Sequence, residues 1–210
     1  LYFVNWPGIA AASDIIQGLS PYQEGLTTNF DYFKKAVSDV GVSGLGAQEV
    51  HEQIMQFATQ VKSLNAGDAA FQSEVAQYAA DQMGEEVKSA PNDARLRLFY
   101  GSYLLTVGSL DAARPQLVAA QKLSPEKQAV VFELAPLELS SGNTGAALSS
   151  AKQAFDLAPA YDSARTFYAG VAIRTGNRSL ASSLLMPRYG TMTPDDDTIF
   201  SSYVAIKDYQ

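Results

Sequence analysis

Several residue types recur in this sequence with a single period. Pro91, Pro125 and Pro159 stand 34 residues apart, and so do Gly108, Gly142 and Gly176. Ala113, Ala147 and Ala181 each follow a glycine by five residues, and a second alanine follows at Ala120 and Ala154. Ladders that share one period mark a repeated supersecondary unit, and such a unit must stack on its own copies to bury its apolar face.

The physics of a helical hairpin assigns each rung a task. A glycine leaves a helix in the left-handed region without a side-chain clash, so Gly108, Gly142 and Gly176 predict the bend between a helix A and a helix B. Alanines seven apart lie on one helix face and allow the two helices to approach closely. Ser124-Pro125-Glu126 then reads as the start of the next helix: a capping hydroxyl, a φ-fixed first residue, and an acid on the positive end.

These positions resemble the tetratricopeptide repeat family, whose pattern has a small residue in helix A, glycine at the turn, two alanines in helix B and a closing proline. Gly101, Ala135 and Ala169 supply the small residue, again 34 apart, after Tyr100, Leu134 and Tyr168. The resemblance covers residues 91–190 and implies an all-α, right-handed α-solenoid of antiparallel helix hairpins with about 10–11 helices in all. Glu138 stands where an aromatic is usual, Pro136 lies inside a helix A, and Pro187-Arg188 replaces the last alanine, so a shortened or distorted third helix B is expected. In the family, helix A lines the concave face. The corresponding positions here are Arg95, Leu98, Ser102, Leu105, Phe132, Pro136, Thr166, Gly170 and Arg174, a mostly apolar or small set suited to an extended or helical peptide.

The expected organisation is residues 1–46 as N-terminal helices, 47–90 as a degenerate hairpin, repeats at 91–124, 125–158 and 159–190, and the start of a further helix at 191–210. Ile54, Phe57 and Val61, then Phe71, Val75, Tyr78 and Met83, carry the helical spacing of the degenerate hairpin. Ser20-Pro21-Tyr22-Gln23 reads as a capping-box start for a helix through Phe30, Phe33 and Ala36. Residues 8–18 read as a short apolar helix, and 41–46 as a glycine-rich connector. Thr193-Pro194-Asp195-Asp196-Asp197 opens the last helix. The aromatic start, Leu1 to Pro7, fits the interfacial end of a segment cut from a longer protein or an ordinary aromatic staple.

A second resemblance rests on the apolar stretch Gly8 to Ala12, on Asn29-Phe30-Asp31-Tyr32-Phe33-Lys34-Lys35-Ala36 and on Gln48-Glu49-Val50-His51-Glu52-Gln53. Together with the aromatic start, these look like the soluble tail of bacterial O-antigen ligase-like membrane proteins. It implies an extracytoplasmic helical-repeat region whose parent, a membrane glycan ligase or polymerase, carries its catalytic residues elsewhere.

Composition narrows the function classes. The net charge of −7, with lysines and arginines scattered singly, argues against nucleic acid as a partner, since a phosphate backbone calls for concentrated positive charge. The absence of cysteine excludes disulfides and thiolate chemistry. No stretch has the 18 or more apolar residues needed to span a bilayer. His51, the one histidine, reads as a solvated helix residue, and Glu85-Glu86 as a solvated face. Asp195 to Asp197 lack the alternating oxygens of a calcium loop and read as helix N-terminal charge. Asn177-Arg178-Ser179 is a glycosylation sequon that matters only in a eukaryotic secretory setting.

These readings predict a scaffold with no catalytic, cofactor or metal residues, whose partner is a protein, a peptide or a parent membrane domain. The location implied is extracytoplasmic on a bacterial membrane. A free-standing soluble adaptor, cytoplasmic or periplasmic, is the alternative.

Overall fold

The computed structural model describes residues 2–21, 25–41 and 46–207, with side chains from Trp6 onward. Tyr22 and Gln23 of the expected capping box, residues 42–45 of the connector and the side chains of the aromatic start before Trp6 lie outside the described residues. Among the described residues there are eleven α-helices and no strand. They fall into two compact units, Leu1–Ser109 and Leu110–Gln210. The division cuts the repeat expected at 91–124, so its two helices are described with their own units.

The first unit holds α1 (Tyr2–Gly18), α2 (Leu26–Val40), α3 (Ala47–Ser63), α4 (Ala69–Ser89) and α5 (Ala94–Val107). Chain neighbours pack pairwise: α1 on α2, α3 on α4, and α4 on α5. Apolar residues at three- and four-residue spacing turn each inner face toward a shared aromatic centre. There the Phe33 and Phe57 rings lie 4.9 Å apart, while Phe30 meets Tyr78 edge-on at 5.5 Å. Asp68 and Asp93 cap α4 and α5 by accepting backbone N–H bonds of the first turn.

The second unit holds α6 (Leu110–Leu123), α7 (Gln128–Ser140), α8 (Thr144–Leu157), α9 (Asp162–Arg174), α10 (Arg178–Tyr189) and α11 (Asp197–Ala205). The alanine ladder is its floor: Ala113, Ala120, Ala147, Ala154 and Ala181 are all fully buried, as are Ala135 and Ala169 of the helix-A ladder. Methyl-sized side chains leave room for close helix approach, and a core running from Ala135 to Ile199 fills the remaining space.

Gly108, Gly142 and Gly176 all have φ between 76° and 88° and follow α5, α7 and α9. The bonding is the same at each. The residue after the glycine donates its N–H to the carbonyl five residues back, and the glycine N–H donates three back: Asn143 to Glu138 at 2.8 Å, and Gly142 to Leu139 at 3.1 Å. This closure satisfies carbonyls that a helix end leaves orphaned.

The prolines act differently from the expectation. α7 begins at Gln128, and Ser124 forms no cap. Instead Pro91, Pro125 and Pro159 occupy the second position of a tight turn, closed by Asp93 N–H to Ala90, Lys127 to Ser124 and Tyr161 to Ala158. Proline's fixed φ suits that turn position as well as it suits a helix start, and each helix begins three residues after its proline. The third helix B is shortened, as expected. α10 has 12 residues against 14 in α8, with Pro187 in its final turn and Gly190 closing it at φ 69°.

Candidate binding surfaces

In the first unit, α3 and α5 run beside each other and leave an open cavity of about 440 Å³ between them. Met55 and Phe99 give it an apolar floor, and Gln56, Thr59, Gln60, Ser63, Ser102 and Thr106 line it with neutral donors and acceptors. The two helices are linked at both ends of this groove. At one end Arg95 pairs with Glu52 at 2.7 Å, and at the other the Lys62 ammonium donates to the Val107 carbonyl. Tyr103 anchors the floor, its hydroxyl donating to the Ala76 carbonyl at 2.8 Å, and burial pushes its phenol well above the usual tyrosine range.

Of the groove residues expected on α5, only Ser102 lines this cavity; Leu98 and Leu105 are half-buried and outside its lining, and Arg95 is held at its end by Glu52. The α3 contribution was not expected. α4 is 21 residues long, so α3 precedes α5 by 47 residues, and the 34-residue register does not reach it.

The remaining expected positions lie in the second unit. Phe132 is half-buried, its ring 4.5 Å from Phe167, and Pro136 is half-buried within α7. Arg174 is exposed. Thr166 and Gly170 are buried, and a Cβ placed on Gly170 would meet the Ser202 hydroxyl of α11 at 2.7 Å. Gly170 therefore lies under a helix of this same chain.

His51 corrects the sequence reading. It is wholly buried, not solvated, and its Nδ1 lies 2.6 Å from the Glu86 carboxylate, itself 7% exposed. His51 shares the inner face of α3 with Val50, Ile54 and Met55, which packs on α4 and carries it inward. The expectation for Glu85-Glu86 holds only for Glu85, whose side chain is half-exposed. Among the described residues no group hydrogen-bonds to His51 Nε2, and the residue lines neither the α3–α5 groove nor the smaller cavity near Gly18 and Leu64.

Glu138, in place of the usual aromatic, is buried at the end of α7. It receives both guanidinium nitrogens of Arg114, and Asn143 Nδ2 donates to it at 2.8 Å. The Arg114 bonds, helped by Asn143 and opposed by burial, hold its carboxyl below the ordinary range. At α11, Asp196 accepts from Thr198 and Ile199 N–H, so the acidic run caps a helix. Asn177 of the sequon caps α10 through Leu180 N–H. Among the described residues no cluster of metal-binding side chains occurs, and no helix is long and apolar enough to cross a membrane.

No family model and no curated protein matches the chain by sequence. Solved structures do match. A crystal structure of MamA is 11% identical with a TM-score of 0.60, covering 100% of this chain and 96% of that one. PilF of Pseudomonas aeruginosa is 16% identical at TM-score 0.57, covering 97% and 87%. A thermophilic TPR protein of Thermus thermophilus is 16% identical at TM-score 0.55, covering 94% and 100%. The chain has the tetratricopeptide fold. At these identities the likeness is one of fold, and the tetratricopeptide pattern of glycine bends and alanine contacts accounts for it.

Proposed function

We propose that this tetratricopeptide chain is a non-catalytic interaction module that binds an extended peptide segment of a protein partner in the groove between α3 and α5. The carrying observation is the groove's lining. It is neutral: the Gln56 and Gln60 amides can pair with a peptide main chain, the Thr59, Ser63 and Thr106 hydroxyls, whose protons go to carbonyls of their own helices, can accept from it, and the floor of Met55 and Phe99 can take an apolar side chain. The fixed links at both ends preorganise it, which lowers the ordering cost of binding. A photo-crosslinking residue at Thr59 or Ser102 should capture the partner, whereas one at exposed Lys122 should not. Capture from Thr59 that survives Ser102→Arg, or from Ser102 that survives Thr59→Arg, would reject this groove.

The wider assignment we propose is the extracytoplasmic tail of an O-antigen ligase-like membrane protein. Its support is the sequence resemblance across Asn29 to Gln53 and the exposed apolar side chains Trp6, Ile9 and Ile16 on α1, which suit an interfacial setting. Coding sequence upstream of Leu1 decides between this and the soluble adaptor. Several apolar spans of about 20 residues support the membrane parent, and a plain start codon eliminates it.

A further inference from the structure

α1 is apolar on both of its sides. Its inner side, with Ala11, Ile15 and Gly18, packs on α2 and α3. Asp14, the one charged residue between Trp6 and Pro21, also lies inward, 5% exposed and paired with Lys35 at 2.9 Å. The opposite side turns Trp6, Ile9, Ala12, Ile16 and Leu19 to water, with Ser13 and Gln17 as its polar members. A helix that is apolar all round is normally covered on every side, and here the outer side is open.

The open surface continues onto α3. Leu19 and Leu64 line one cavity of about 230 Å³ together with Leu26, Phe57 and Val61. Trp6, Ile9, Ile16, Leu19 and Leu64 are 55–68% exposed, and among the described residues of the first unit they are all the large apolar side chains so open to water. The unit therefore gathers its exposed apolar surface along α1 and around the cavity at its end.

The shape and chemistry of this surface select what covers it. At 3.6 residues per turn the apolar positions from Trp6 to Leu19 fan over about 140° of the helix, wider than the seam by which one helix pairs with another. The five side chains expose on the order of 600 Å², short of the roughly 800 Å² that each partner of a stable protein pair buries. Protein interfaces also carry about one hydrogen bond per 100–200 Å², and this face brings Ser13 and Gln17 alone. A bilayer boundary calls for none of that pairing and takes up apolar side chains with a tryptophan among them.

We infer that α1 is an in-plane membrane contact, its outer side and Leu64 seated in the headgroup boundary of a lipid bilayer. Apolar burial carries the binding, and charge does not. The lysines of α2 and α3, Lys34, Lys35 and Lys62, bond to Glu74, Asp14 and the Val107 carbonyl, and the chain has a net charge of −7. The contact needs no membrane-spanning parent, so it is open to a ligase-type tail and to a free-standing adaptor alike.

The probe is a vesicle of phosphatidylcholine alone, titrated against the full chain. Trp6 is the chain's one tryptophan and reports directly. Its emission should move to the blue, and phosphatidylcholine brominated on its acyl chains should quench it. Raising the salt should leave binding unchanged, and adding phosphatidylglycerol should not strengthen it. Ile9→Glu with Ile16→Glu, both at exposed positions, should weaken partitioning by about tenfold or more. Leu64→Glu leaves α1 intact and should weaken it by a smaller factor, while Leu123→Glu on α6 should have no effect. Wild-type chain that stays off the vesicles overturns the inference, as does equal partitioning by the Ile9→Glu, Ile16→Glu chain. Binding that requires anionic lipid or is lost in salt overturns it too. So does a dimer in sedimentation without lipid that the Ile9→Glu, Ile16→Glu chain no longer forms, since a second copy then covers this face. Crosslinking at Thr59 and Ser102 and the coding sequence upstream of Leu1 test the other readings, so each fails separately.

Discussion

Replacing Arg114 with alanine isolates what Glu138 contributes to the second unit. The Glu138 side chain is 11% exposed, and it accepts from two Arg114 nitrogens and from Asn143; the Arg114 side chain is 37% exposed. Breaking a buried pair costs about 3–5 kcal/mol because a charge is left without its partner. A fully exposed pair contributes about 0–1 kcal/mol, since water screens it. With one partner buried and the other about a third exposed, and with Asn143 still donating, the expected loss is about 2 kcal/mol. Amides of α7 and α8 report it directly by hydrogen exchange. If they exchange through opening of this unit, protection at pH 7 should fall about thirtyfold. The pH dependence carries a sign. The folded-state carboxyl of Glu138 lies below its ordinary value of 4.5, so its contribution is present above that pH and is lost as pH falls through the folded value. Wild type and Arg114→Ala should therefore converge toward acid pH. A difference at pH 7 under about 0.5 kcal/mol, or one that persists undiminished at low pH, refutes the account.

Ala147 is fully buried between α7 and α8, so Ala147→Leu should cost about 1–3 kcal/mol by overpacking, and an unchanged melting temperature would contradict the helix register. Asp39 titrates in the opposite sense to Glu138. Burial and its hydrogen bond with Asp14 raise its carboxyl above 3.8, against a weaker opposing pull from Lys35. Its stabilising contribution is full at low pH and is lost as pH rises through the folded value, so Asp39→Asn should stabilise the α1–α2 hairpin at pH 7 relative to its effect at pH 3, read by urea unfolding. His51→Leu should cost about 1–3 kcal/mol because it strands the Glu86 carboxylate, while His51→Leu with Glu86→Leu should recover most of that loss. A double variant no more stable than the single one would show that the pair itself does not set the cost.

The repeat was legible because its signals are local and periodic. A glycine at φ 76–88° after α5, α7 and α9 follows from a bend that side chains resist, and a buried alanine follows from the spacing of one helix face. Nothing distant is needed to read either. The helix starts were expected three residues too early because a fixed φ fits both the second position of a turn and the first of a helix. Tertiary packing alone decided the rest. His51 and Glu86 are 35 residues apart, and Arg114 and Glu138 are 24 apart; no period links either pair, so whether such a charge meets water or a partner depends on which helix covers it. The α3 side of the groove was hidden by the long α4, which takes α3 out of the 34-residue register. The seat of α11 over Gly170 depends on where a helix comes to rest after a turn, a choice settled by the shape of the surface it finds rather than by the spacing of its own residues.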